Sequence, residues 1–396
     1  MHRYLQPYIL RDLKDKMVFV GGPRQVGKTT LGLNLARDEY PDHQYLNWDI
    51  ANQRKKIILQ RFSSETELII FDEIHKYAEW KNYLKGICDD LEKTYSVLVT
   101  GSARLNTFKK RGDSLMGRYF YYRLHPLSLR EIANQNIRTA LKDFPILASL
   151  EFPKVQQKEI DILNDLLEFG GFPEMYLGRD KSLHRRRNNE KINQLTNEDV
   201  KNIGNIKELS LFQVLLTLMP ERVSSLFSTN SLREDLQVSF NTIKSWIEML
   251  ENFYYCFRLY PFNESRIKSL KKEPKLYLWD WSEIEDNEGG RFENLIASHL
   301  LKFVHFLHDI FGYKVQLSYL RDREGRETDF IVSTKGKPWF AVEAKWNSEK
   351  IDKNLLYFKK KMQLENVFQV IGQGGVDFME DGVRVISASK FLMGLV

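Results

Sequence analysis

The segment Gly22-Pro23-Arg24-Gln25-Val26-Gly27-Lys28-Thr29 constrains this chain more than any other. It satisfies every fixed position of G-x-x-x-x-G-K-[ST]. An apolar run, Met17-Val18-Phe19-Val20, precedes it, and a helical stretch opens at about Thr29 and runs to Ala36. Such a loop must curl until successive N–H groups point inward, which glycine's backbone freedom permits. A helix N-terminus then adds partial positive charge where phosphates would sit. The sequence therefore demands a strand–loop–helix unit able to hold a polyphosphate. Residues Gly22 through Thr30 form the expected nucleotide site. Lys28 is expected to reach the β- and γ-phosphates, and the Thr29 hydroxyl to coordinate Mg²⁺.

A second motif supports the first. Leu68-Ile69-Ile70-Phe71-Asp72-Glu73 is an apolar strand ending in two acids. Asp72 is expected beside the Mg²⁺ of the phosphate loop, and Glu73 becomes the candidate base that orients the attacking water. Two acids, rather than one, favour hydrolysis over nucleotide binding alone. No Asn-Lys-x-Asp or Thr-Lys-x-Asp sequence is present, so ATP is expected rather than GTP. A further strand, Ser96 to Thr100, leads into Gly101 and Ser102, where a hydroxyl such as that of Ser102 could sense the γ-phosphate; a plain turn of small residues is the alternative. Together with Tyr45 to Trp48, these strands alternate with helical stretches. That order predicts a parallel sheet covered on both faces.

The chain of 396 residues is long enough for two or three domains at about 150 residues each. Residues 155–260 read as mostly helical, with an apolar period near 3.6 in Leu211 to Met219 and in Thr242 to Leu250. A long helix is expected from about Gly290 to Phe311, followed by a strand pair and a further helix–strand alternation. The net charge of +6, from 59 basic and 53 acidic residues, permits an anionic partner without demanding one. Basic clusters lie at Lys181 to Lys191 and at Arg266 to Lys275, each readable as a solvated loop. No apolar run approaches the ~18 residues that a membrane span needs. The start lacks a signal-peptide core. Two cysteines, Cys88 and Cys256, can build neither a disulfide framework nor a four-cysteine zinc site. A cytoplasmic protein without membrane partners is expected.

Several segments resemble, in order, the prokaryotic AAA-superfamily ATPases that carry a C-terminal nuclease-like domain. They are Gly21 to Thr30, Phe71-Asp72-Glu73-Ile74-His75-Lys76 with Trp80, Thr100-Gly101-Ser102, Leu115-Met116-Gly117-Arg118, Pro126-Leu127-Ser128 and Gly170-Gly171-Phe172-Pro173-Glu174. The resemblance implies that Arg118 is an arginine finger acting on a neighbouring subunit's nucleotide, and hence a homo-oligomer. Arg104 and Arg111 are its rivals, and pairing of Arg118 with a local carboxylate is the alternative. In the middle of the chain, Ser231 to Leu236, Asn241 to Leu250 and the strand Tyr254 to Tyr260 read as two helices around a turn followed by a wing. That is a winged-helix pattern, and the resemblance agrees. Asn241, Thr242, Lys244 and Ser245 would face DNA if the second helix reads it; a protein–protein spacer is the alternative.

Towards the C-terminus, Arg326 to Val332 and Trp339 to Lys345 read as strands around the turn Lys335-Gly336-Lys337-Pro338. Glu343 and Lys345 share one face. Asp329 joins them only if the loop is odd or a bulge intervenes, because a four-residue loop sets Asp329 opposite Ala344. With that proviso, two carboxylates suit Mg²⁺ or Mn²⁺. Lys345 could then position a water or stabilise a phosphorane-like transition state. The pattern Asp329…Glu343-x-Lys345 resembles the restriction-endonuclease-like core, which implies a further metal-binding glutamate on the preceding helix, Glu293. A nuclease-like fold used for binding without cleavage is the alternative.

The expected architecture is α/β. An AAA-type P-loop ATPase domain spans residues 1–140, a helical lid and winged helix residues 141–280, and a restriction-endonuclease-like domain residues 281–396. The expected function is an ATP-hydrolysing switch or motor coupled to a DNA-associated nuclease-like domain. The alternatives are an ATP-gated metal-dependent endonuclease and a non-hydrolysing, ATP-bound scaffold for a protein partner.

Overall fold

Apolar runs bounded by polar turns pair into a parallel sheet in the first part of the chain. The computed structural model describes residues 1–90, 95–101, 115–133, 152–195, 209–263, 269–270 and 272–396. These divide into two units. One comprises Met1–Pro126 with the short segment Asn252–Tyr254, and the other comprises Leu127–Ala133 with the rest of the described chain.

The first unit contains α1 (Gln6–Asp12), β1 (Met17–Gly21), α2 (Lys28–Glu39), β2 (His43–Asn47), α3 (Ala51–Ile58), β3 (Leu68–Asp72), α4 (Trp80–Asp89), β4 (Ser96–Thr100) and β5 (Tyr119–Arg123). Its strands run parallel in the order β2-β3-β4-β1-β5. Every residue of β1 and β3 is buried, as expected for central parallel strands covered on both faces. The edge strand β2 begins at His43, two residues before its apolar stretch, because its pairing with β3 starts there; only Leu46 of it is fully buried. β5 is aromatic rather than aliphatic; its Tyr119 stacks on Phe19 of β1 with ring centroids 4.4 Å apart. Beneath the sheet, Trp80, Leu84 and Ile87 of α4 pack with Phe71 and Val99. Burying such a side chain contributes about 2 kcal/mol, which is how a helix of modest propensity is held in place.

The second unit opens with α5 (Leu129–Ala133), α6 (Gln157–Phe169), α7 (Pro173–Gly178), α8 (Lys181–Gln194), α9 (Leu209–Leu218), α10 (Thr229–Leu236) and α11 (Phe240–Asn252). The antiparallel pair β6 (Cys256–Leu259) and β7 (Lys275–Leu278) follows. The next element, α12 (Glu288–Phe311), starts two residues before the expected Gly290, because the Asn287 side chain caps it by accepting from the Gly290 N–H at 2.8 Å. It ends at Gly312 in the left-handed region, φ +70°. A six-stranded mixed sheet completes the unit. Its strands are β8 (Val315–Arg321), β9 (Glu327–Thr334), β10 (Lys337–Lys345), β11 (Asn366–Ile371), β12 (Asp377–Glu380) and β13 (Val383–Ser387), in the order β12-β13-β11-β10-β9-β8. Helix α13 (Lys353–Met362) buries Leu355 and Phe358 against Ile331 and Ala341, and α14 (Ala388–Met393) closes the chain. Among the described residues no helix is long and apolar enough to cross a membrane.

The hairpin β9–β10 settles the register question. Lys335 and Gly336 take φ +50° and +79°, the signs of a two-residue type I′ turn. Thr334 then pairs Lys337 and Ser333 pairs Pro338, but a bulge at Trp339 shifts the ladder so that Val332 pairs Phe340 and Phe330 pairs Val342. Continued by one residue, the shifted ladder sets Asp329 opposite Glu343.

Candidate nucleotide site and the C-terminal carboxylate cluster

The phosphate loop leaves the C-terminal end of β1 and curls back over it. Gly22 adopts φ +153°, and a Cβ there would come within 2.4 Å of the Leu124 carbonyl oxygen. Gln25 and Gly27 also have positive φ, +59° and +94°. Arg3 donates to the loop carbonyl of Val26 at 2.7 Å, fixing its outer side. Lys28 opens α2, is 8% exposed, and donates from Nζ to the Gly22 and Pro23 carbonyl oxygens at 3.0 and 2.6 Å. Burial pulls its ammonium down to about 8, against the pull of the Glu73 and Asp72 carboxylates. The ammonium still carries most of its charge at neutral pH.

Parallel pairing brings the C-terminal ends of β2, β3 and β4 to the same edge as the loop. Asp72 ends β3, and three hydroxyls donate to its carboxylate. Thr29 reaches Oδ2 at 2.8 Å, Tyr45 the same oxygen at 2.7 Å, and Thr100 reaches Oδ1 at 2.7 Å. Asn47 in turn donates to the Tyr45 hydroxyl at 3.1 Å. Burial, reinforced by the hydrogen bond to Asp72, pushes the Tyr45 phenol up to about 12, so it stays a donor. Thr29 and Asp72 are hard oxygen donors adjoining the loop, the type of donor Mg²⁺ takes alongside phosphate and water.

Glu73 follows in a left-handed conformation, φ +57°, with its N–H donating to the Thr100 carbonyl at 3.0 Å. A non-glycine residue held there stores strain of a kind that clusters at functional sites. Burial raises the Glu73 carboxyl above its usual range, partly offset by Lys76, whose Nζ lies 3.4 Å away. The buried His75 ring places Nε2 3.5 Å from the same carboxylate.

Arg118 lies elsewhere. It precedes β5 and its carbonyl accepts from Met17 N–H at the start of β1, so it occupies the opposite edge of the sheet. The length of β1, roughly 16 Å at about 3.3 Å per residue, separates it from the loop of its own chain. Its guanidinium grips Asp89 in a bidentate pair at 2.8 and 3.1 Å. Ser102, Arg104 and Arg111 lie outside the described residues.

In the second unit, the hairpin bulge joins Asp329 to the Glu343 strand. The Asp329 N–H donates to Glu343 Oε2 at 3.2 Å, and the Ala344 N–H donates to Asp329 Oδ2 at 3.0 Å. Lys345 pairs with Glu343 at 2.8 Å and with Asp352 at 3.1 Å. Glu293, on the first turns of α12, approaches from the other side. Between Glu293 and Asp329 stands Lys275, only 2% exposed, with Nζ 3.2 Å from Glu293, 2.7 Å from Glu327 and 3.1 Å from Asp329. Tyr277 donates to Glu293 at 2.7 Å. Burial opposes the Lys275 charge, yet its neighbours hold it above its ordinary value. Burial and the Asp329 charge push Glu293 up, as burial and Asp329 do for Glu343. Of the expected metal set, Glu293 and Asp329 thus meet around the Lys275 ammonium, while Glu343 adjoins Asp329 and pairs with Lys345. Among the described residues, no group of three or more His, Cys, Asp or Glu side chains is arranged to hold a metal ion.

Sequence reasoning missed Tyr45 and Lys275. Tyr45 and Asn47 share one face of β2, and Lys275 and Tyr277 share one face of β7, because strand side chains alternate. A cation inside the otherwise apolar Lys275-Leu-Tyr-Leu run was the only available signal, and it was absorbed into the basic cluster. In the other basic cluster, Arg185 and Arg186 are exposed on α8, whereas Lys191 turns inward to Glu283 and Asp280.

The first unit has the five-stranded parallel sheet of a P-loop fold, and a family profile described as an AAA domain matches residues 14–133. Two further profiles, described as domains of unknown function DUF8612 and DUF4143, match residues 160–282 and 288–391. Among curated relatives, uncharacterized protein MJ1544 of Methanocaldococcus jannaschii is 24% identical over 388 residues, covering 91% of this chain and 83% of that protein. Uncharacterized protein MJ1637 of the same organism is 22% identical over 339 residues, covering 75% and 70%. Among solved structures, the Walker-type ATPase PABY2304 of Pyrococcus abyssi superposes with a TM-score of 0.43 at 12% identity, covering 70% of this chain and 93% of that one. The RuvB Holliday junction branch migration motor of Thermotoga maritima gives 0.32 at 16% identity, covering 64% and 87%.

Proposed function

We propose that the protein is a cytoplasmic ATP-hydrolysing AAA-type switch or motor coupled to a DNA-associated nuclease-like domain. The observation that carries the ATPase reading is the meeting of Thr29 and Asp72 at 2.8 Å beside a complete phosphate loop. Gly22 and Arg24 to Gly27 offer backbone N–H groups to the phosphates, Pro23 between them having none to offer, with Thr30 in the first turn of α2 behind them. Lys28 contributes its charge at the β- and γ-phosphates. Thr29 and Asp72 would hold Mg²⁺, which when bound neutralises phosphate charge. Glu73, raised by burial towards the range of a useful base, orients water for attack on the γ-phosphorus, and the bond to the β-phosphate oxygen breaks. Thr100, which donates to Asp72, takes a supporting role, and sensing of the γ-phosphate is assigned to Ser102. Arg118 lies too far from its own loop to act there, so a finger role needs a neighbouring subunit, and this reading includes a homo-oligomer.

The DNA part of the reading rests on the middle of the chain. Helices α10 and α11 flank a turn at Gln237, φ +53°, and an antiparallel strand pair follows, in the order of a winged helix. The start of α11 exposes Asn241, Lys244 and Ser245, side chains suited to phosphate and base-edge contact. ATP turnover by wild type and by Glu73→Gln, with and without duplex DNA and on protein of measured solution mass, tests the proposal. Stimulation by DNA, and loss of turnover in the variant, are expected. Unchanged turnover in Glu73→Gln would sink the hydrolysis assignment, and a flat response to DNA would favour the scaffold reading with a protein partner.

A further inference from the structure

We propose that Lys275 is the resident cation of the C-terminal carboxylate cluster, so that this nuclease-like centre takes up no divalent metal and cuts no phosphodiester bond. The inference deepens the reading of residues 281–396 as nuclease-like and rests on it. Three observations carry it. First, the Lys275 ammonium stands among oxygens of Glu293, Glu327 and Asp329 at 2.7 to 3.2 Å and is sealed from solvent. A divalent ion shared by Glu293 and Asp329 would need that same space.

Second, both Asp329 oxygens, both Glu343 oxygens and Glu293 Oε1 are already engaged. Asp329 Oδ2 accepts from the Ala344 N–H, Glu343 accepts from Lys345 and from the Asp329 N–H, and Glu293 accepts from Tyr277. Mg²⁺ and Mn²⁺ demand several oxygens near 2.1 Å in octahedral order, and these bonds hold the carboxylates in the arrangement that suits the ammonium instead.

Third, the backbone that carries Lys275 is held on both sides. It begins β7, where its backbone pairs Leu259 on one side and bridges Leu226 on the other. The cluster therefore serves as an internal ion network that ties β7, α12 and β9 together.

Mn²⁺ binding to the intact, nucleotide-free chain tests this, read by electron paramagnetic resonance on wild type, Asp329→Asn, Lys275→Gln and the double variant. Wild type and Asp329→Asn are expected to bind equal amounts. Lys275→Gln is expected to gain about one Mn²⁺ per chain, and Asp329→Asn in the same chain to remove it. An Asp329-dependent Mn²⁺ in wild type would overturn the proposal even if no Lys275 variant folds. A folded Lys275→Gln chain that gains no Mn²⁺ would overturn it equally. ATP turnover of the same proteins, which this inference leaves unchanged, reports separately on the ATPase reading.

Discussion

Thr29 and Asp72, 43 residues apart, meet through a 2.8 Å hydrogen bond at the C-terminal edge of the parallel sheet. Tyr45 reaches the same Asp72 oxygen from the edge strand. Two hydroxyls on one carboxylate oxygen fix its direction, which is what a metal ligand beside a phosphate loop requires. Tyr45→Phe removes one of them. It is expected to weaken Mg²⁺-dependent ATP binding several-fold and to reduce stability by about 1 kcal/mol. Titration of a fluorescent ATP analogue at varied Mg²⁺, with a melting curve, measures both.

Glu73→Gln keeps the size and the backbone of the wild-type residue but cannot take a proton. Steady-state turnover is expected to fall about 100-fold or more, with nucleotide affinity held within a few-fold. Wild-type turnover should also decline as pH falls, beginning above the range of an ordinary glutamate, because burial raises this carboxyl. The acid limb should be missing from the residual rate of the variant.

The Lys28 ammonium, drawn down to about 8 by burial, gives a pH signature for binding. Below pH 8 the free protein holds the proton that ATP needs. Above it, the proton has left and binding must restore it. ATP affinity is therefore expected to fall as pH rises from 7 to 9.5, approaching tenfold per pH unit well above 8, with proton uptake on binding. Calorimetry in two buffers of different ionisation enthalpy detects that uptake. The sign for stability is opposite. The folded chain holds fewer protons than the unfolded chain between about 8 and 10.5, so this lysine adds stability as pH rises through that window.

Gly22→Ala puts a methyl group 2.4 Å from the Leu124 carbonyl at a backbone angle of +153°. Neither the clash nor the angle can relax without moving the loop. A loss of about 2 kcal/mol or more and abolished ATP binding are expected, seen by thermal melting and nucleotide titration. Retained binding at wild-type affinity would show that the loop tolerates a different path.

Arg118→Ala breaks an exposed pair with Asp89 at the far edge of the sheet. Exposed pairs contribute little to stability, so the melting temperature should stay near that of wild type. Turnover should nevertheless fall strongly if the finger acts between subunits. Mixing Arg118→Ala with Glu73→Gln should then restore part of the activity, because each mixed interface can pair an intact Glu73 site with an intact Arg118. A monomeric protein, or an unchanged rate, would remove the finger role.

Local chemistry made the nearest-neighbour features readable. The phosphate loop, the apolar strand ending in Asp72 and Glu73, and α12 were legible because each is specified within a dozen or so neighbouring residues. Glycine spacing fixes a backbone path, and strand burial fixes an all-apolar run. β5 went unread because its aromatic run, though of a kind enriched in strands, lacks the aliphatic residues that mark β1, β3 and β4. Only the tertiary structure decided which residues meet. Register at the Trp339 bulge turned an ambiguous spacing into an Asp329–Glu343 contact, because one inserted residue reverses every face of a strand. Parallel pairing carried Arg118 to the edge away from the loop. Long-range packing brought Lys275, 18 residues before Glu293 and 54 before Asp329, between their carboxylates. A charge inside an apolar strand has no meaning until its partners arrive, since burial without them would be too costly to survive.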